Sequence, residues 1–122
     1  MKTDFDQFIK SLENRFSRPL PGFEAQRKLE PVTRKKFMET ADPEKARYSG
    51  VMALFYPLNG DIRLVFIRRT EYNGVHSGQI SFPGGRYEEQ DKDLKQTALR
   101  ETWEEIGTPV EKIRIIGKLT DL

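Results

Sequence analysis

Apolar residues near the start of the chain recur at three- and four-residue steps, which is the pattern of one helical face. They are Phe5, Phe8, Ile9, Leu12 and Phe16. Thr3 or Asp4 can cap this predicted helix, and Pro19 ends it. We expect it to dock outside the main sheet. Residues 20–46 are mixed and charged, and they predict an ordered connector with one short helix around 33–40.

From Arg47 onward the pattern changes to short β-rich apolar runs. These runs predict four strands, at residues 51–56, 62–67, 79–82 and 113–119. Asn59-Gly60 lies between the first two runs and is a strong signal for a β-hairpin. Residues 94–106 predict a helix that Gly107 and Pro109 end. The chain is therefore expected to have two parts, an N-terminal helix and connector at 1–46 and an α/β domain at 47–122.

The predicted helix 94–106 carries a dense acidic cluster. At 100° per residue, Glu101, Glu104 and Glu105 share an arc of about 100°. The opposite side of the wheel holds the apolar residues Leu99, Trp103 and Ile106. This arrangement predicts that the apolar side packs on a sheet, with Trp103 in the core, while the carboxylates face away from it.

Like charges three and four residues apart repel each other, so a structural helix gains nothing from this cluster. A hard divalent cation such as Mg²⁺ or Mn²⁺ turns the repulsion into coordination. The alternative interpretation is a solvated helix face without a ligand. Arg100 adjoins the cluster and can pair with Glu104 or another acid to orient it.

The segment Phe82-Pro83-Gly84-Gly85 ends the third predicted strand. Glycine lets the backbone approach a ligand or metal closely, so a main-chain carbonyl here can complete a metal shell and Gly85 can lie against a substrate. The alternative is an ordinary turn. Three arginines, Arg68, Arg69 and Arg86, lie next to predicted strand ends, where they can bind phosphates or simply face solvent.

Composition excludes several other classes of site. The 122 residues contain no cysteine, which excludes disulfides, thiolate zinc sites and cysteine nucleophiles and suits a cytoplasmic protein. The net charge of +2 suits an anionic small molecule and is too low to indicate nucleic acid. No apolar run reaches the roughly 18 residues that a membrane span requires. His76 is the only histidine, and we expect it to shape the loop before the third strand rather than to act as a base or metal ligand.

Together, the diglycine loop, a spacer and Arg100-Glu101-Thr102-Trp103-Glu104-Glu105-Ile106-Gly107 resemble the Nudix box. Asp91 stands where that pattern has Glu, and the spacing to Arg100 is one residue longer. These two features, with Phe82-Pro83-Gly84-Gly85 and the upstream His76-Ser77-Gly78, are similar to the coenzyme A pyrophosphatase branch. That branch usually has Arg at Gly74 and Ser-Ala at Thr70-Glu71.

The resemblance implies an α/β/α sandwich with a mixed sheet, here without its C-terminal part. It assigns metal ligation of Mg²⁺ or Mn²⁺ to Glu101, Glu104, Glu105 and the Gly84 carbonyl. It also implies that Arg100 orients the acids through a structural pair with Asp91. A homodimer is one way in which an incomplete sheet would be covered.

The function that follows is metal-dependent hydrolysis of a nucleotide diphosphate, with coenzyme A or an acyl derivative as substrate and 3′,5′-ADP and 4′-phosphopantetheine as products. Glu101, Glu104 and Arg100 are the expected catalytic residues, with Glu101 as general base. One alternative is another nucleoside diphosphate derivative, such as ADP-ribose or a damaged nucleotide. The other is a catalytically silent interaction module of the same fold.

Overall fold

A computed structural model describes residues 3–40, 47–71, 73–74 and 77–122 of the chain. The expected role of His76 concerns a residue outside these ranges. The described residues form two compact units, one containing 6–40 and 115–122 and the other containing 3–5 and 47–114. Among them, no helix combines the length and the apolar character needed to cross a bilayer.

The first unit is helical. The predicted first helix is confirmed as α1, Asp4–Phe16, and the short helix of the connector is confirmed as α3, Val32–Thr40. A further short helix, α2 at Gly22–Arg27, was not predicted. In the same unit, the Gln26 side-chain amide donates a hydrogen bond to the Thr120 carbonyl at 3.0 Å.

The second unit contains six short strands. They are β1 Ser49–Val51, β2 Phe55–Leu58, β3 Asp61–Leu64, β4 Ile67–Arg68, β5 Ile80–Ser81 and β6 Gly84–Arg86. Within the described ranges they pair as three two-stranded antiparallel ladders, β1 with β6, β2 with β3 and β4 with β5. The predicted strands 51–56 and 62–67 are therefore each divided between two ladders. The predicted α/β class is confirmed.

The predicted hairpin turn connects β2 to β3. Asn59 and Gly60 both have positive φ, 51° and 83°, as a two-residue hairpin loop requires. Pro57 faces Ile62 in this ladder. Its missing N–H costs nothing there, because hydrogen-bonded and non-hydrogen-bonded pairs alternate in an antiparallel ladder and Leu58–Asp61 closes the turn.

The strand predicted at 113–119 is wrong. A 3-10 helix at Val110–Lys112 follows Pro109, and residues 113–122 have no regular secondary structure. A β-rich pattern becomes a strand only where another strand can pair with it. The described residues 115–122 instead lie with the helical unit, where Gly117 is so close to the Phe16 ring that a Cβ would collide with it.

Helix α4, Leu94–Ile106, matches its predicted bounds. The Asp93 side chain caps its start by accepting the Gln96 N–H at 2.8 Å, and Gly107 ends it in the left-handed conformation at φ 71°. The helix packs on β1 and β6. Its buried residues are small: Thr97, Ala98 and Thr102.

The expectation that Trp103 lies in the core is wrong, since its side chain is 52% exposed. Ile106 is 37% exposed and Leu99 is half-buried, so the predicted apolar face is not the face that is buried against the strands. The reason is the close approach of the helix to β1. A Cβ on Gly50 would collide with the Leu94 carbonyl, and at this separation only small helix side chains fit between the elements.

Candidate metal centre

Asp91 and Arg100 form an ion pair with two hydrogen bonds in the second unit. Arg100 Nε donates to Asp91 Oδ1 and Nη2 donates to Asp91 Oδ2, both at 2.9 Å. The Asp91 side chain is 2% exposed and that of Arg100 is 16% exposed. Two parallel charge-assisted hydrogen bonds fix the plane of the guanidinium as well as its position.

Asp91 receives two further hydrogen bonds, from the Glu88 N–H at 3.0 Å and from the Thr97 hydroxyl at 2.9 Å. Hydrogen bonding from Arg100, aided by these two donors, holds the pKa of the Asp91 carboxyl well below its usual range, and the opposing effect of burial is smaller. The same pairing raises the pKa of Arg100. Both groups are therefore charged at neutral pH.

The remaining donors of Arg100 reach the acidic cluster and the neighbouring strand. Nη1 lies 3.1 Å from Glu101 Oε1 and 3.4 Å from Glu104 Oε1. Nη2 also donates to the main-chain carbonyl of Arg86 at 3.0 Å. Arg100 thus contacts Asp91, the side chains of three glutamates and strand β6.

Two glutamates of α4 lie against the glycines of β6. The Gly84 N–H donates to Glu105 Oε1 at 2.8 Å. A Cβ on Gly85 would overlap the Glu101 carboxyl group, so a side chain there would require this carboxylate to move. Gly84 has φ 155°, which residues other than glycine rarely adopt. The diglycine segment therefore lies directly against the two carboxylates and donates a hydrogen bond to one of them.

The prediction that the acids face away from the sheet is wrong for Glu101 and Glu105. On the helical wheel, the buried Thr97, Ala98 and Thr102 span about −40° to +100° relative to Glu101, an arc that also contains Glu105. Glu101 is 19% exposed and Glu104 is 53% exposed. Glu101 and Glu105 therefore lie on the side of the helix that meets β6, with Glu105 still exposed, and Glu104 projects outward.

The atoms that could coordinate a metal ion here are hard oxygen atoms, the kind that Mg²⁺ and Mn²⁺ prefer. In the part of the chain that the structure describes, no group of three or more His, Cys, Asp or Glu side chains is arranged to hold a metal ion. Mg²⁺ commonly uses only one or two carboxylates, with water and phosphate oxygens completing its shell. Glu101 and Glu105, which lie against Gly84 and Gly85, are enough carboxylates for such a Mg²⁺ site.

The arginines predicted to bind substrate have different environments. Arg68 is 69% exposed and pairs with Glu71 at 3.3 Å. Arg69 uses its main-chain N–H to bond the Gln79 carbonyl at 2.8 Å, and the Arg86 side chain is exposed. An open cleft of about 440 Å³ is lined by Glu71, Asn73, Ser77 and Gly78. Arg68 is connected to the edge of this shallow, open depression through its ion pair with Glu71.

Thr97 and Glu88 were not among the residues predicted from the sequence. Thr97 lies one turn before Arg100, and nothing in the pattern distinguishes it from other helix threonines. Its role depends on the loop that brings Asp91 back to the helix. Glu88 contacts Asp91 through its main-chain N–H, which residue type does not predict, and its exposed carboxylate lies 3.6 Å from Arg100 Nη1.

Several known proteins are similar in sequence to this chain. Nudix hydrolase 15, mitochondrial, from Arabidopsis thaliana is 37% identical over 81 residues, which cover 64% of this chain and 28% of that protein. Nudix hydrolase 22, chloroplastic, from the same plant is 35% identical over 91 residues, covering 72% of this chain and 30% of that protein. The uncharacterized Nudix hydrolase NudL of Yersinia enterocolitica is 41% identical over 59 residues, covering 48% and 30%.

The chain thus spans less than a third of the length of these curated relatives. No solved structure matches it. A family model described as the NUDIX domain matches residues 47–122, the region that contains the diglycine strand, the Asp91–Arg100 pair and the acidic helix. Since this match covers more than half of the sequence, the chain belongs to the Nudix family.

Proposed function

We propose that this chain carries the metal-binding core of a pyrophosphohydrolase that cleaves the diphosphate of a nucleotide derivative. The observation that carries the proposal is the placement of Glu101 and Glu105 against Gly84 and Gly85, with Arg100 fixing Glu101 from the other side. A surface helix whose acids were merely solvated would have no need for two glycines against them or for a half-buried arginine beside them.

Glu101, Glu105 and the Gly84 carbonyl are the proposed ligands of Mg²⁺ or Mn²⁺. Glu104, which pairs with Arg100, is the third acid of the set. A bound divalent ion supplies charge neutralisation of the diphosphate and a more acidic water. Membership of the Nudix family supports a divalent ion as cofactor.

The chain's own residues divide the remaining tasks. Glu101 is the proposed general base, because it is the less exposed acid and Arg100 holds its carboxylate in place. Arg100 prevents the adjacent carboxylates from rotating away from one another. Arg68, Arg69 and Arg86 are the proposed phosphate contacts, and Gly85 allows a substrate to approach the backbone.

The finer proposal concerns the substrate. The segment from Ser77 to Gly85 and the pair Asp91–Arg100 resemble the coenzyme A pyrophosphatase branch, so coenzyme A or an acyl derivative is the first choice. Cleavage of its diphosphate by water gives 3′,5′-ADP and 4′-phosphopantetheine. ADP-ribose or a damaged nucleotide is the alternative within the same chemistry. The proposed compartment is the cytoplasm, and the proposed partner is a small molecule rather than nucleic acid.

The first test is metal binding. Calorimetric titration of the chain with MnCl₂ or MgCl₂, with and without a non-hydrolysable diphosphate, should show uptake. Glu101→Gln and Glu105→Gln should abolish or strongly weaken it. Glu111→Gln, which neutralises an exposed acid on the 3-10 helix, is the matched control and should bind as the wild type does.

The second test is a substrate panel with Mn²⁺ or Mg²⁺. Coenzyme A should be hydrolysed faster than ADP-ribose, and equal or lower rates would remove coenzyme A as first choice. A catalytically silent module predicts instead that Glu105→Gln changes neither metal uptake nor turnover. Absence of metal uptake by the folded chain under all of these conditions would overturn the proposed function itself.

A further inference from the structure

Two threonines of α4 are completely buried, Thr97 and Thr102, each 0% exposed. The Thr102 hydroxyl donates to the Ala98 carbonyl at 2.7 Å, which is the usual bond of a helical threonine to the preceding turn. Thr97 differs, because a charged acceptor lies within reach of its hydroxyl. The same residue type on the same buried face thus has two different partners.

The Thr97 hydroxyl lies 2.9 Å from Asp91 Oδ2 and 3.2 Å from the Asp93 carbonyl. It has one proton to donate. The carboxylate oxygen is both nearer and charged, so it is the better acceptor. The hydrogen bond to Asp91 is therefore the one that a Thr97 substitution would remove at greatest cost.

This bond acts on the orientation of the Asp91 carboxylate. The terminal torsion of an aspartate has a broad energy minimum, so the carboxylate plane is set by its hydrogen-bond donors. Thr97 and the Glu88 N–H both donate to Oδ2. With this oxygen fixed, the carboxylate plane is aligned with the guanidinium of Arg100, which uses both oxygens.

We infer that Thr97 is a positioning residue: its hydroxyl fixes the Asp91 carboxylate, which in turn holds Arg100 where its Nη1 reaches Glu101 and its Nη2 reaches the Arg86 carbonyl. The Thr97 hydroxyl acts on Glu101 only through Asp91 and Arg100 in this arrangement. The consequence for turnover rests on the proposed function, whereas the consequence for Arg100 does not.

Two pairs of variants isolate the hydroxyl: Thr97→Ser with Thr97→Ala, and Thr97→Val with Thr102→Val. Thr97→Ser and Thr97→Ala both lose the methyl group and differ only in the hydroxyl. Thr97→Val keeps the shape of threonine without the hydroxyl. Thr102→Val is the control, because it removes an equally buried hydroxyl from the same helix without altering a donor to Asp91.

The first readout is hydrogen exchange at the Arg100 Nε–H, followed in ¹⁵N NMR spectra and assigned with Arg100→Lys. Thr97→Ala should exchange about tenfold faster than the wild type, the effect of losing one hydrogen bond to a charged group. Thr97→Ser and Thr102→Val should exchange at about the wild-type rate. If Thr97→Val does not fold, the effect of the hydroxyl is measured by comparing Thr97→Ser with Thr97→Ala.

The second readout is the kinetics of diphosphate hydrolysis. Loss of a residue that orients metal-site groups costs about 10- to 100-fold in activity, and here the loss should fall on kcat with KM little changed. Thr97→Ser should retain most of the kcat that Thr97→Ala loses.

Three results would overturn the inference: unchanged exchange in Thr97→Ala, failure of Thr97→Ser to restore it, or an equal effect of Thr102→Val. The exchange measurement needs no turnover. A wild-type chain that binds no metal and hydrolyses nothing would therefore contradict the proposed function while the Arg100 exchange still decides the role of Thr97.

Discussion

The carboxylate of Asp91 and the guanidinium of Arg100 meet through two hydrogen bonds of 2.9 Å each. Asp91 lies in the loop before α4 and Arg100 lies two turns into that helix, so the pair attaches the loop to the helix. Because Arg100 also reaches Glu101 and the Arg86 carbonyl, the pair transmits the position of the loop to the acidic cluster.

Replacing Arg100 by Lys should separate charge from geometry. Lysine keeps the positive charge but cannot form two parallel hydrogen bonds to Asp91 while contacting Glu101 and Arg86. We expect a lower thermal midpoint and a loss of diphosphate hydrolysis of about 10- to 100-fold.

Arg63→Lys provides the control for this substitution, because Arg63 pairs with Asp61 at 2.7 Å with both side chains more than half exposed. Exposed pairs contribute little to stability. A thermal midpoint that falls equally in both variants would contradict the special role of Arg100.

Replacing Gly85 by Ala should disturb Glu101 through a direct collision with its carboxyl group. The expected cost is about 1 kcal/mol in the free energy of unfolding, because the Glu101 carboxylate can shift but then loses its hydrogen bond from Arg100. It should be measured by denaturant unfolding as a double-mutant cycle with Glu101→Ala.

In the Glu101→Ala background, Gly85→Ala should cost much less, because the colliding group is gone. The two substitutions should therefore be strongly non-additive. Additive effects would show that the space above Gly85 is not filled by the Glu101 side chain.

The Asp91 carboxyl should contribute to the dependence of stability on pH. Hydrogen bonding from Arg100 lowers its pKa in the folded chain, while the unfolded chain has the ordinary value near 3.8. Between these two pKa values the unfolded state binds more protons, so this contribution to the free energy of unfolding is complete above about pH 5 and declines as the pH falls below that.

Asp91→Asn has no carboxyl to titrate at this position. The difference in unfolding free energy between wild type and variant should be largest at neutral pH and should shrink as the pH is lowered from about 4 toward 2. Parallel stability curves over this range would contradict the assignment of the lowered pKa.

Trp103 offers a direct test of the orientation of α4. It is the only tryptophan in the chain and its side chain is 52% exposed. The dilute chain should therefore show a red-shifted emission maximum and efficient quenching by acrylamide. A blue-shifted, protected tryptophan at all concentrations would contradict this orientation.

The same residue reports on self-association. If a homodimer covers the apolar side of α4, Trp103 emission should shift to the blue as concentration rises, together with an increase in mass by light scattering. Trp103→Lys should then remain monomeric at the concentrations where the wild type associates. Constant emission with constant monomer mass would argue against a homodimer through this face.

The sequence determined the local features of the chain. The bounds of α4 followed from its period and its stop signals, and the β2–β3 turn followed from Asn59-Gly60, because these signals act between near neighbours. The Asp91–Arg100 pair was implied by resemblance to a family, and the structure contains it with both hydrogen bonds formed.

Tertiary structure alone decided which side of α4 faces the strands. A helical wheel ranks faces by hydrophobicity and placed Trp103 inside. However, Gly50 brings β1 too close to the α4 backbone for a large side chain to fit between them, and Gly85 leaves room for the Glu101 carboxylate. Small residues and two carboxylates therefore occupy the contact, and Thr97 becomes a donor to Asp91. The side of α4 that is buried depends on the distance between the helix and strand backbones. That distance is determined jointly by residues that lie far apart in the sequence.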